Sequence, residues 1–112
     1  MTRKYMLLYR NPVSPERKQP SPSELEAILG QWKQWQKAYP SILELGDGLL
    51  PTGKALKNGV ITDGPTIESK ELVSGYSIVA AKDYEAAMVV VKACPFLLTP
   101  GASVEVRELA GY

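Results

Sequence analysis

Histidine is absent from the 112 residues and cysteine occurs once. Without a His there is no Ser-His-Asp or Cys-His relay, and most zinc sites, which draw on His or several Cys, go with it. A lone Cys94 closes no intrachain disulfide, so a secreted disulfide scaffold is excluded and a reducing compartment fits better. Charge of one sign is also lacking: 13 Lys and Arg stand against 12 Asp and Glu, a formal net charge of +1. The densest basic stretch is Arg17-Lys18, in a loop marked by Pro12, Pro15, Pro20 and Pro22. Nucleic acid and anionic membranes attract clustered cations, so neither is an expected partner. No segment reaches the roughly 18 consecutive apolar residues of a membrane span. The run Tyr5 to Tyr9 is too short for a secretory signal, and a cytoplasmic location is the expectation. Gly46-x-Gly48 lacks the third glycine and the following helix of a phosphate loop. Asp63, Glu68 and Glu71 follow no metal-binding motif, so neither cofactor nor metal is expected.

What remains is patterned for one domain, with a single core expected at this length. Lys4-Tyr5-Met6-Leu7-Leu8-Tyr9 is apolar on both alternating faces, which predicts a strand buried on two sides and central in its sheet. Ser23 and Glu26 form a capping-box pattern, and Leu25, Ile28, Leu29, Trp32, Trp35 and Tyr39 recur at helical spacing up to Pro40. Gly30 inside this helix suggests a closely packed neighbour, and the two Trp suit packing on the sheet. Ile42 to Leu50 is expected as a strand interrupted by Gly46-Asp47-Gly48. Asn58-Gly59, between Lys54 to Lys57 and Val60 to Thr62, predicts a type I′ hairpin. Gly75 to Ala81 alternates as a strand, Asp83 caps a helix running to Cys94, and Ser103 to Leu109 is a strand with one polar face. The order is βαββαβ with an inserted hairpin: an α+β, ferredoxin-like fold with two helices on one face of an antiparallel sheet. Two helices cover one face only. Apolar residues on both faces of the first strand therefore predict a homodimer that buries the other.

At Val60-Ile61-Thr62-Asp63-Gly64-Pro65, then Glu68, Lys70-Glu71, Gly75-Tyr76 and Glu85-Ala86, the sequence resembles the DGPF-type branch of the YCII-related domain family. The resemblance begins at Lys4 to Tyr9 and runs through Cys94-Pro95 to Ser103-Val104-Glu105-Val106-Arg107. It implies a dimeric α+β barrel. It also implies either a small-molecule enzyme or a non-catalytic binding or regulatory module, since some relatives accompany sigma factors. The His and acid pair proposed as catalytic in the wider family has no counterpart here.

The candidate chemistry rests on carboxylates, Lys, Arg and Tyr. Asp63 is the candidate general base, its pKa raised by burial or by Glu68, with Lys70 or Arg107 stabilising an oxyanion. The alternative is that Asp63 shapes a turn through its own backbone hydrogen bonds. Tyr9 and Tyr76, with Arg107, are candidate ligand contacts of a cleft, set against a plain core role for both rings. Cys94 lacks the helix N-terminus or cation that activates a thiol and reads as a packing residue. The ligand is an unidentified small molecule. A ligand-sized cleft with Asp63, Lys70 and Arg107 converging on it would favour catalysis. A cleft filled by Tyr and Ile side chains would favour the non-catalytic module, and an exposed strand edge with no cavity a purely structural role.

Overall fold

Alternation along Arg3–Pro12, strand β1, sorts its side chains onto two faces: Tyr5, Leu7 and Tyr9 are buried, while Met6, Leu8 and Arg10 are half-buried. The molecule is described by a computed structural model covering residues 2–13, 20–65 and 70–111. Helix α1 (Pro22–Ala38) follows, then β2 (Ile42–Glu44), the hairpin β3 (Lys54–Lys57) and β4 (Val60–Asp63), and β5 (Glu71–Ala81). Helix α2 (Tyr84–Lys92), a 3-10 turn at Pro95–Leu98 and β6 (Ser103–Glu108) complete the chain. The main sheet has the order β2-β5-β1-β6, with every pairing antiparallel. Strands β1 and β2, joined through α1, enclose β5 between them, as a split βαβ unit requires. The fold is therefore α+β, and β1 is central, paired on both sides.

Both helices contribute to one core. Trp35 of α1 and Ala87, Val90 and Val91 of α2 pack with Tyr5, Leu7, Tyr9, Val79 and Cys94. Trp35 Nε1 donates to the Val90 carbonyl at 2.9 Å, so an indole satisfies an acceptor in the last turn of α2 and ties the helices together. On the opposite face the registers place Met6 beside Ile78 and Arg107, and Leu8 beside Tyr76 and Glu105. Arg10 donates to Glu105 there at 3.0 and 3.2 Å.

Several expectations change. The N-cap of α1 is Ser21, not Ser23: its hydroxyl accepts from the Glu24 N–H at 3.2 Å and donates to the Glu24 carboxylate at 2.9 Å. Pro22 decides between the two candidate boxes, because a proline with fixed φ and no N–H belongs in the first helical turn. Leu25, Ile28 and Leu29 are exposed rather than core-facing, and the buried part of α1 is its C-terminal half. Gly30 has no neighbour within 4 Å of its would-be Cβ among the described residues, so close packing does not account for it. The strand expected over 42–50 is regular only to Glu44. Strand β5 starts at Glu71, four residues before Gly75. The hairpin forms as expected, with Asn58 and Gly59 at φ of 52° and 77°, and makes its own two-stranded sheet.

Candidate functional site

Three irregularities of the backbone meet at one end of the sheet. The register between β1 and β5 slips after Tyr9, so Ser74 is an extra residue bulged out of β5. Strand β2 leaves the sheet after Glu44 and touches it again at the Gly48–Gly75 bridge. Between them Gly46 turns at φ +71°, where a Cβ would stand 1.9 Å from the Tyr76 carbonyl oxygen, so any side chain there would push the loop off β5. The space opened by the bulge and the departing strand is a cavity of about 290 Å³. Tyr9, Trp32 and Phe96 line it from the helix side, and Leu45 to Gly48 and Ser74 to Tyr76 form the rest of its wall with Leu29. Ring packing holds the aromatic wall: Tyr9 lies 5.3 Å from Trp32 edge-on and 4.9 Å from Phe96, centroid to centroid.

Behind this wall runs a chain of hydrogen bonds whose direction is set by its last member. The Leu45 carbonyl only accepts, so Ser77 Oγ donates to it, at 2.6 Å. With that hydrogen committed, Tyr9 Oη donates to Ser77 Oγ at 2.5 Å, and the Cys94 thiol lies 3.8 Å behind as donor to Tyr9. Ser77 is wholly buried, and its bond to Leu45 anchors the loop that walls the cavity. Burial pushes the Tyr9 phenol far above its ordinary range, against a smaller opposing effect of the Ser77 hydrogen bond. Burial likewise raises the Cys94 thiol, outweighing its contacts with the Phe96 backbone and Tyr9. Both groups keep their protons at neutral pH and neither serves as a base.

The residues singled out from the sequence are dispersed. Tyr9 and Tyr76 line the cavity. Asp63 does not: its side chain is 90% exposed at the end of β4 and pairs with Lys54 across the hairpin at 2.5 Å. Gly64, which follows it at φ +89°, donates its N–H to the Gly53 carbonyl and extends the pairing of the hairpin beyond Lys54 and Asp63. Lys70 is exposed beside β5, and Arg107 lies on the open sheet face next to Met6. Glu68 lies outside the described residues. Asp63, Lys70 and Arg107 therefore sit on separate elements, and none of them lines the cavity. The sequence marked Trp32 as packing and Asp47 only as part of the Gly46-Asp47-Gly48 interruption, and gave Phe96 no role. The available signal was the glycine pair flanking Asp47, which marked where the strand breaks.

An antiparallel sheet with both helices on one side and an aromatic cavity at its end defines a small α+β domain. Residues 5–110 match the model of the YCII-related domain. The chain belongs to that family. No protein of curated function matches it significantly. Among the described residues no helix is long and apolar enough to cross a membrane.

Proposed function

We propose that the chain is a small-molecule-binding module of the DGPF-type branch, acting without catalysis of its own and working as a homodimer in the cytoplasm. The observation that carries the binding reading is the cavity itself. Its 290 Å³ is close to the roughly 300 Å³ lower end of ligand pockets, and it is walled by aromatic and aliphatic side chains with a few polar groups at its edge. Asp63, Lys70 and Arg107, the residues singled out from the sequence for an acid/base mechanism, lie elsewhere. Support for the homodimer comes from exposed apolar surface. Leu43, Leu49 and Leu50 on and after β2, and Leu56, Val60 and Ile61 on the hairpin, are all exposed.

The test of the binding reading uses 2-phenylethanol, a neutral aromatic probe, detected by saturation-transfer NMR and by fluorescence of Trp32. Saturable binding is expected, and Gly48→Leu should abolish it. A Cβ at position 48 meets only the Ser74 carbonyl oxygen, at 3.8 Å, so that variant folds with its side chain free to close the mouth. Binding unaffected by Gly48→Leu would place the ligand elsewhere and overturn the reading.

A further inference from the structure

The cavity has a charge preference that follows from its lining. Among the described residues that line it, Asp47 alone carries a formal charge. One oxygen of its carboxylate accepts from the Gly48 N–H at 2.8 Å, which fixes its direction, and no described Lys or Arg pairs with it. The rest of the surroundings point the same way. Tyr9, Trp32 and Phe96 bring three aromatic rings to a space of this size, and aromatic faces attract cations. An anion would meet the Asp47 carboxylate with no lining cation to compensate it. Asp47 is solvent-exposed at the rim, so a neutral ligand would leave its carboxylate to water and gain nothing from it.

We infer that the pocket takes a small organic amine, an ammonium group carried on a compact aromatic or aliphatic body. This rests on the binding reading above and narrows it to a substrate class. The apolar body occupies the space between Trp32, Phe96 and Tyr9, and the ammonium sits at the rim, donating to the Asp47 oxygen that Gly48 leaves open. The hydrogen bond is charge-assisted, and the rim position keeps the ammonium partly hydrated, so the gain over a neutral group is moderate.

Three probes of matched shape decide it by titration calorimetry: 2-phenylethylamine, 2-phenylethanol and 3-phenylpropanoate, at neutral pH and low salt. The amine should bind about five- to tenfold tighter than the alcohol, and the carboxylate weakest. Added salt should weaken the amine and leave the alcohol unchanged. Asp47→Asn keeps an oxygen to accept from Gly48 while removing the charge, so it should bring the amine to within about twofold of the alcohol. Equal binding of amine and alcohol, or a preference for the carboxylate, overturns the amine assignment and leaves the pocket standing. Failure of all three probes to bind overturns the pocket reading and the amine assignment together.

Discussion

Tyr5 and Tyr9 occupy the same face of β1, yet their hydroxyls have opposite fates. Tyr9 donates to Ser77, whereas the buried Tyr5 hydroxyl has no hydrogen-bond partner among the described residues. Removing a satisfied hydroxyl and removing an orphaned one have different consequences. Tyr9→Phe should lower stability by about 1 kcal/mol in urea unfolding, because Ser77 and Cys94 both lose a neighbour. Tyr5→Phe should leave the melting temperature unchanged or raise it. The phenols also set an alkaline limit. Burial raises Tyr9 in the folded state, so the stability linked to it is intact below the unfolded tyrosine value of about 10. Above that pH the unfolded chain ionises while folded Tyr9 stays protonated, and stability falls by about 1.4 kcal/mol per pH unit on its account. Tyr9→Phe should flatten that slope in unfolding measured from pH 8 to 12. The sequence showed that Tyr9 faces one side of its strand. It did not show where the hydroxyl ends, because Ser77 reaches it from β5 and is itself held by Leu45 of the loop after β2, and no local pattern encodes that meeting.

At the scale of elements, helices were legible through their ends and less so through their stripes. Asp83 caps α2 as expected, its carboxylate accepting from the Ala86 N–H at 2.8 Å. The start of α1 was misplaced by two residues because two capping boxes overlap at Ser21 to Glu26 and the weight of Pro22 was not counted. The apolar stripe from Leu25 to Leu29 was read as core, but periodicity gives a face and not what covers it. Two substitutions in α1 should move stability in opposite directions by similar amounts. Ser21→Ala removes the cap and should cost about 1 kcal/mol. Gly30→Ala enters open space at helical geometry and should add about 1 kcal/mol. Chemical denaturation of the two variants and of their double mutant checks both, and additivity is expected for sites nine residues apart with no shared contact. Strand β2 shows the limit of pattern reading in sheets. Its break at Gly46 was visible, and its return at Gly48 to make a cavity was not.

For the whole molecule, the quantity that stands out is surface. The chain exposes 8400 Å² at 12.3 kDa, where a compact monomer of that mass exposes roughly 6100 Å². Its radius of gyration, 15.4 Å, likewise exceeds the roughly 13 Å of a compact chain of this length. Part of that surface is the exposed apolar side chains of Leu43, Leu56, Val60 and Ile61, which the proposed homodimer would cover. Light scattering at micromolar concentration should return twice 12.3 kDa, and Leu8→Lys, placing a charge on the open sheet face, should shift the mass toward the monomer. A monomer in the unsubstituted protein would defeat the dimer proposal. The order of strands and helices was legible at this scale because every element carried its own periodicity and caps. The site was not, since Asp63 stood out by its place before Gly64-Pro65, whereas its carboxylate is exposed at the end of β4 and pairs with Lys54 across the hairpin. The position of Tyr9 has one more consequence. Its ring is at once core and cavity wall, so whatever fills the cavity braces the fold, and a ligand present at a hundred times its dissociation constant should add about 2.7 kcal/mol to unfolding. The protein is in that sense its own assay: a melting curve can rank compounds by how tightly they fill the cavity.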